Sequence, residues 1–310
     1  MLLIKRMKKL TVVFLSLVVI GLSWFLFIKE FDHQFRFKTK YGSGAVYHEI
    51  LNIDKFSADD PNSNVQTLEK EPFKNVVQQV DLHNGNHLIL DWNFDFVNDS
   101  VTQVTVNTLD KKNSLQHRLE ILNPFARSEK IAILKTNLNA INTKINTHQN
   151  YYKITLKDTA SNPAFNCACI TSTTTIEKKA TAMMATIDKL EEFIESYELK
   201  LEGYPMLKVT SWNLETNEIT FDFCFPINTK KGLTAVEPIR LKRIDSKPSL
   251  EAVFNGNYRL SHLTWLDLLE KAKRENIAVE NLPLEIFYSN PRMGGEAMEW
   301  KAVVFMPLKK

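Results

Sequence analysis

The chain has 310 residues, of which 44% are hydrophobic and 24% are charged, a composition typical of folded globular proteins rather than of disordered or fibrous ones. Its net charge of +3 is small and its basic residues are dispersed, so the sequence does not predict binding to nucleic acid. A chain of this length is expected to fold into about two domains.

The first predicted element is a membrane-spanning helix. Residues 10–28 form an uncharged run of 19 residues, which at about 1.5 Å per residue crosses most of a hydrocarbon core about 30 Å thick. A cleaved signal peptide is the alternative, but its apolar region is usually shorter and ends in small residues, whereas this run ends in the bulky sequence WFLFI. We therefore predict a single-pass membrane anchor over residues 1–31.

The basic residues on either side of this run bear on its orientation. Four Lys and Arg residues lie between positions 5 and 9, whereas those that follow the run are more widely spaced. Because Lys and Arg concentrate on the cytoplasmic side of a membrane helix, we predict a cytoplasmic N-terminus, with the bulk of the chain on the non-cytoplasmic side.

Residues 32–153 are predicted to form the first folded domain. A strand over Phe35–Lys40 precedes a short helix over residues 45–50, and turn-forming residues predict a loop over 59–64 and a turn at Asn84-Gly85-Asn86. The remaining predicted elements are three strands, Asn75–Val80, His87–Phe96 and Thr102–Leu109, and a long helix over 128–148 with Ser128 as its N-cap.

This order of elements, together with the stretch FRFKTKYGSGAVYHEILNIDKF, resembles the START-like (SRPBCC, polyketide-cyclase-related) helix-grip fold over about 115 residues. The resemblance implies an apolar ligand held between the sheet and the long helix. Trp92, Phe94 and Phe96 are candidates to line such a cavity, but we assign them to the hydrophobic core. Whether this domain binds a ligand is left open by the sequence.

The three cysteines, Cys167, Cys169 and Cys224, are too few for a disulfide framework. On a strand, the pair Cys167 and Cys169 points both side chains to the same face. A metal site would need more ligands, so we expect all three to be small, buried apolar residues.

From about residue 160 to Lys310 the sequence repeats a βαββ unit. The first copy comprises strand Ala164–Ser172, helix Ile176–Leu199, and strands Met206–Trp212 and Glu218–Ile227. The second copy comprises strand Ser249–Phe254, helix Leu263–Asn276 with Ser261 as its cap, and strands Leu284–Ser289 and Glu299–Leu308.

Proline residues mark corresponding positions in the two copies. Pro205 and Pro283 precede the second strands, and Pro226 and Pro307, 81 residues apart, end the third. Such a duplication predicts two units related by a pseudo-twofold axis, with helices on one face of the sheet and a concave groove on the other. The expected fold class is therefore α+β throughout: an anchor helix, a helix-grip antiparallel sheet over residues 32–153, and a duplicated domain over 160–310.

The stretches FNGNYRLSHLTWLDLLEKA, PLEIFYSNP and WKAVVFMPLK are similar to the GyrI-like effector-binding domain, the SOUL-like C-terminal domain of multidrug regulators. The resemblance covers about 150 residues. It implies an aromatic groove for amphipathic, often cationic, small molecules, with one acidic residue near its middle. Glu285 matches that acidic position.

The repeat gives an independent reason to single out Glu285, because aligning Pro205 with Pro283 sets Leu207 opposite this acid. A carboxylate facing an apolar groove is costly to desolvate unless it is paired, so it would attract a cationic ligand. The alternative is that Glu285 points to solvent or pairs with a basic residue of a neighbouring strand.

Strand alternation puts Phe287 on the same face as Glu285, and Leu284, Ile286 and Tyr288 on the other. Aromatic side chains recognise cations and flat molecules, although each one is also an ordinary core residue. The predicted ligand-binding residues are Glu285, Tyr258, Trp265, Trp212, Phe287, Tyr288 and Trp300.

The sequence carries none of the common catalytic motifs, and it predicts no cofactor and no metal. No helix-turn-helix precedes the duplicated domain, which disfavours a transcription factor. We therefore expect non-catalytic binding of an amphipathic small molecule by a membrane-anchored protein. Two alternatives are a hydrolase, because some GyrI-like proteins hydrolyse reactive electrophiles and Glu285 could orient a water, and a protein-binding adaptor whose groove is filled. No particular protein partner is predicted.

Overall fold

The fold is α+β and contains two large β-sheets. The computed structural model describes residues 2–56, 64–81, 87–123, 129–147, 150–228, 230 and 232–309. The predicted loop at 59–63, the predicted turn at 84–86 and the predicted cap Ser128 lie outside these ranges. The chain divides into two compact units, the first made of residues 1–39, 49–95 and 103–144, and the second of residues 40–48, 96–102 and 145–310.

The N-terminal helix, α1, spans Leu2–Ser23 and continues as one π-helical stretch, Trp24–Ile28. Its segment Lys9–Ile28, 20 residues long, has the length and apolar composition needed to cross a membrane, and no part of that segment is buried in the protein. Apolar side chains without a protein partner are what a lipid environment would cover.

The first sheet has five strands in the order β1-β5-β4-β3-β2. The strands are β1 His33–Thr39, β2 Asn64–Glu71, β3 Asn75–Asp81, β4 His87–Asn98 and β5 Val101–Asp110. The helices are α2 Ser43–Leu51 after β1, and α3 Ser114–Leu122 and α4 Glu129–Thr147 after β5. The predicted strands and the long helix are confirmed, and the apolar stripe of α4 is buried at Leu134, Leu138 and Ile141. Strand β2 and helix α3 were not predicted.

The second sheet has eight strands in the order β10-β7-β9-β8-β12-β13-β11-β6. Its strands are β6 Tyr152–Ser161, β7 Phe165–Thr175, β8 Met206–Trp212, β9 Glu218–Pro226, β10 Ile239–Ile244, β11 Pro248–Gly256, β12 Leu284–Phe287 and β13 Lys301–Pro307. Its two helices are α5 Lys179–Ser196 and α6 Leu263–Arg274. Strands β6 and β10, which the sequence did not predict, form the two edges.

The order of the central six strands shows the predicted duplication. The first copy contributes β7, β9 and β8, and the second contributes β12, β13 and β11, which is the same arrangement in reverse. Strands β8 and β12 pair antiparallel at the centre, where Leu207 is the partner of Glu285. The two residues that the sequence alignment placed at equivalent positions therefore lie side by side across the pseudo-twofold axis.

The two faces of this sheet carry different residues. Helix α5 packs on β7 and β9, and helix α6 packs on β11, β13 and β6. The alternate positions of the strands form a buried apolar cluster that includes Met206, Leu284, Ile286, Val303 and Phe305. Leu284 and Ile286 thus lie on the face opposite to Glu285, as strand alternation predicts.

The three cysteines are buried as predicted, but two of them are bonded. Cys169 on β7 is the cross-strand partner of Cys224 on β9, and the two form a disulfide. Cys167 is free, and burial raises the pKa of its thiol to about 12. The expectation of three separate apolar cysteines is wrong for this pair, because it depends on a strand register that the sequence does not specify.

Candidate functional site

Glu285 occupies the centre of the second sheet. It lies on β12 between Leu207 of β8 and Val304 of β13, and none of its surface is exposed. Its side chain points to the face covered by α5 and α6, so the predicted acidic site lies between the sheet and its helices. It does not lie on the opposite face, where a concave groove was expected.

Three side chains donate hydrogen bonds to the Glu285 carboxylate. Lys179 Nζ lies 3.2 Å from Oε2, and Trp265 Nε1 lies 2.6 Å from Oε1. Ser261 Oγ lies 3.0 Å from both oxygens. A buried carboxylate is stabilised by charge-assisted bonds of this kind. The acid is therefore paired, contrary to the expectation of a lone negative charge, and its partner is a lysine on a helix rather than on a neighbouring strand.

Lys179 is the first residue of α5, and its side chain is completely buried. Besides Glu285, its ammonium meets the carbonyl oxygen of Tyr258 at 3.0 Å and Ser261 Oγ at 2.6 Å. These three acceptors match the three protons of an ammonium group. Burial lowers the pKa of Lys179, and the charge of Glu285 opposes that shift.

The prediction that Ser261 caps α6 is wrong. The residue at the N-cap position is His262, whose side chain makes no capping hydrogen bond. The Ser261 hydroxyl instead lies between Lys179 and Glu285, where it accepts a hydrogen bond from the ammonium and donates one to the carboxylate. This position makes Ser261 part of the buried ion pair.

Aromatic residues lie beside this ion pair and contact one another. The rings of Trp212 and Trp265 are in edge contact with centroids 5.4 Å apart, and Lys179 Nζ lies 5.6 Å from the centroid of Trp265. Tyr258 contacts Phe287 at 4.8 Å and Trp300 at 6.0 Å. Six of the seven predicted residues are therefore linked through contacts with one another or with Lys179 and Ser261.

The seventh predicted residue, Tyr288, does not join them. It is 39% exposed, and its ring contacts Tyr204, with centroids 4.6 Å apart. It therefore lies away from the buried ion pair, and the structure offers it no role there.

Two buried polar atoms, on residues next to Trp265 in space or in sequence, have no hydrogen-bond partner among the described residues. They are the indole Nε1 of Trp212 and the hydroxyl of Thr264, which precedes Trp265 on α6. Buried polar groups are usually satisfied, so these two atoms could bond to a group that enters the cluster. In the part of the chain that the structure describes, no three His, Cys, Asp or Glu side chains are arranged to hold a metal ion.

Sequence reasoning did not find Lys179, although the duplication contains the signal for it. A short 3-10 turn, Ile176–Lys178, precedes Lys179, and an equivalent turn, Tyr258–Leu260, precedes Ser261. The two residues therefore occupy equivalent positions in the two copies. A lysine in one copy facing a serine in the other indicates divergence at the symmetry axis, as Leu207 and Glu285 do.

The chain matches no known family model and no curated protein. Among solved structures, it is similar to the EcmrR C-terminal domain, with 15% identity and a TM-score of 0.43 over 51% of this chain and 98% of that one. It is also similar to a hydrolase from Listeria innocua, with 13% identity and a TM-score of 0.32 over 49% and 92% of the two chains. A third is SAV2435 bound to tetraphenylphosphonium, with 8% identity and a TM-score of 0.34 over 51% and 93%. The function is accordingly inferred from the contacts of Glu285.

Proposed function

We propose that the second unit binds an amphipathic, positively charged small molecule, with Glu285 as its counter-ion and the neighbouring aromatic rings as its walls. The observation that supports this proposal is a completely buried carboxylate among aromatic rings, already neutralised by a buried ammonium group. A site that holds a lysine cation against a carboxylate and an indole has the chemistry to hold the cation of a ligand.

Lys179 acts in this proposal as an internal cation that the ligand replaces at the carboxylate. Two positive charges cannot share one carboxylate in a dry site without a large electrostatic cost. The lysine, whose pKa burial already lowers, gives up its proton when the ligand binds. Binding of a cation is therefore coupled to the release of a proton.

The ligand reaches the cluster past its partly exposed members. Trp212 and Trp300 are neither fully buried nor fully exposed, and each contacts a buried ring of the cluster. In this proposal an indole rotates to let the ligand reach Glu285. The unpartnered Nε1 of Trp212 would then be available to a polar group of the ligand.

The test compares the full chain and its Glu285→Gln variant in detergent micelles, with tetraphenylphosphonium as the probe and tryptophan fluorescence as the readout. We expect the variant to bind about 5 to 150 times more weakly, which corresponds to about 1 to 3 kcal/mol for a desolvated charge interaction. Triphenylphosphine oxide, a neutral molecule of related shape, serves as the control and should bind both proteins alike. Equal affinity of the two proteins for the cation would remove Glu285 from the site.

We propose in addition that Lys9–Ile28 spans a membrane, with a cytoplasmic N-terminus and both units on the non-cytoplasmic side. The disulfide between Cys169 and Cys224 supports this orientation, because disulfides persist in oxidising compartments outside the cytoplasm. The domain limits of 32–153 and 160–310, and the START-like nature of the first domain, are part of the same proposal. A protease added to the outside of right-side-out vesicles should cleave the two units only if they lie on the non-cytoplasmic side.

A second candidate function is hydrolysis through Ser261, because its hydroxyl lies 2.6 Å from a lysine amine and such contacts can activate a nucleophile. The present hydrogen bonds work against it, since the ammonium donates to Ser261 and cannot accept its proton. A fluorophosphonate probe distinguishes the two functions. Covalent labelling that is lost in Ser261→Ala would favour a hydrolase over a binding protein.

A further inference from the structure

Helix α3, in the first unit, has an inverted distribution of polar and apolar side chains. His117 and Arg118 are 6% and 5% exposed, whereas Leu115, Leu119 and Leu122 are 48%, 52% and 45% exposed. A helix that packs on the core of a protein in water presents the opposite pattern, with apolar residues inside and charged residues outside. We therefore expect the leucine face of α3 to contact an apolar environment.

The buried face of α3 is bonded to the end of the N-terminal apolar helix. Arg118 Nη1 donates to the carbonyl oxygens of Phe25 at 3.2 Å and Leu26 at 3.0 Å, and Nη2 donates to that of Lys29 at 2.5 Å. Carbonyl groups at the C-terminal end of a helix have no partner within the helix. Arg118 thus satisfies the backbone at the point where the apolar segment stops.

A buried acid fixes this junction. Asp32 is 2% exposed, and its Oδ1 accepts hydrogen bonds from Arg118 Nε at 2.9 Å and from Ser114 Oγ at 2.5 Å. The guanidinium charge is therefore neutralised, and the first turn of α3 is bonded to the residues that follow the apolar helix. The joint between α1 and α3 is stiff rather than a flexible tether.

We propose that α3 is an interfacial membrane helix, with Leu115, Leu119 and Leu122 inserted into the lipid bilayer beside the end of the spanning segment. The proposal rests on the membrane span described above. If Lys9–Ile28 crosses the bilayer, Ile28 lies at its surface, and a helix bonded to the carbonyls of residues 25–29 lies at the same depth. Helices with one apolar face lie in the plane of the membrane at this level.

The residues at the end of the spanning segment favour lipid as the occupant. Trp24 and Phe27 are 53% and 73% exposed, and aromatic side chains concentrate at the level of the lipid headgroups. The exposed leucines of α3, with Ile121 at 40%, extend this apolar surface away from the spanning helix. The surface is continuous with one that the bilayer already has to cover.

The test places a fluorescent NBD label at single cysteines in the full chain, in a Cys167→Ala background, within phosphatidylcholine nanodiscs that contain lipids brominated on their acyl chains. The labelled variants are Leu119→Cys on α3, Val13→Cys within the spanning segment, and Leu68→Cys. Leu68 is the matched control, because it is 44% exposed on β2 of the same unit. We expect quenching of the labels at 119 and 13 to exceed that at 68 severalfold, with blue-shifted emission at both.

Other outcomes overturn the proposal in different ways. Quenching at position 13 with none at position 119 would leave the span intact and remove α3 from the membrane. Absence of quenching at position 13 would reject the span, and with it the interfacial helix. A label at 119 that is protected both from brominated lipid and from iodide in solution would show that a protein surface covers α3 instead.

Discussion

The two copies in the second sheet share one fold and differ in the charges they bring to their common axis. Leu207 of the first copy pairs with Glu285 of the second, and Lys179 of the first lies 2.6 Å from Ser261 of the second. Each of these pairs joins equivalent positions. The two copies therefore differ at two positions on the axis, and the buried ion pair requires residues from both copies.

The copies also differ away from the axis. In the first copy, a disulfide between Cys169 and Cys224 links strands β7 and β9. The described residues of the second copy have no such bond. The helix of the second copy carries a buried acid, Asp267, whereas Asp188 on the helix of the first copy is exposed. The disulfide thus belongs to the first copy alone, whereas each copy carries one buried group whose pKa burial shifts, Lys179 in the first and Asp267 in the second.

Substitution of Lys179 should have the largest effect on stability. Lys179→Met leaves the Glu285 carboxylate buried without its counter-charge, and we expect a loss of about 3 to 5 kcal/mol in the free energy of unfolding. Chemical denaturation of the full chain in detergent measures it. The double variant Lys179→Met with Glu285→Leu makes the second copy resemble the first at this position and should recover most of the loss. A single variant as stable as the parent would contradict the pairing.

Asp267 should make stability depend on pH. Burial, with smaller contributions from Glu270 and Asp99, raises the pKa of this carboxyl from 3.8 to about 7. The unfolded chain loses this proton near pH 4, so the stability contributed by the protonated acid is complete below about pH 4 and lost as the pH rises to about 7.

Asp267→Asn should remove this dependence and stabilise the protein at neutral pH, by at most about 4 kcal/mol. Denaturation at several pH values measures the change. Asp188→Asn, which removes an exposed acid from the helix of the first copy, is the matched control and should not stabilise the protein at neutral pH. A parent protein whose stability is flat between about pH 4 and 7 would show that Asp267 is ionised in the fold.

Loss of the disulfide should weaken the first copy. Replacing Cys169 and Cys224 by alanine frees a segment with a sequence separation of 55 residues, and we expect a loss of about 2 to 4 kcal/mol. The number of reactive thiols provides a direct check. Protein unfolded without reductant should show one free thiol, that of Cys167, and three would contradict the bond.

Removal of the Ser261 hydroxyl should have a smaller effect. Ser261→Ala deprives the carboxylate of one donor, which we expect to cost about 1.5 to 3 kcal/mol. Thr264→Val is the control, because the Thr264 hydroxyl is buried without a partner among the described residues, and this change should cost less. A larger loss for Thr264→Val than for Ser261→Ala would mean that the hydroxyl of Ser261 does not support the ion pair.

Much of the second sheet could be predicted because its signals are local or repeated. The positions of Pro205, Pro226, Pro283 and Pro307 set the register of the duplication, and the helix and strand periods set the elements between them. The comparison of the two copies also pointed to Glu285. Strands β6 and β10 were not predicted because they lie at the edges of the sheet and are not part of the repeated βαββ unit.

The remaining features depend on which surfaces meet. Lys179 follows Lys178 at the start of a helix, a pattern typical of a solvated face, and only the packing of α5 on the sheet, which brings the ammonium to Glu285, buries it. The disulfide depends on strand register. Helix α3 was not predicted because its inward face is polar, and the sequence therefore lacks the inward apolar stripe by which helices are usually recognised.

The central claim is that a bound cation replaces Lys179 as the counter-ion of Glu285 and that Lys179 then loses its proton. The most direct measurement is the affinity of the full chain for tetraphenylphosphonium as a function of pH, with Glu285→Gln measured in parallel. Because the charged lysine competes below its lowered pKa, affinity should rise with pH in the parent protein, with one proton released per cation bound. The variant should show weak binding that does not change with pH. Affinity that falls with rising pH, or the same profile in both proteins, would contradict the account.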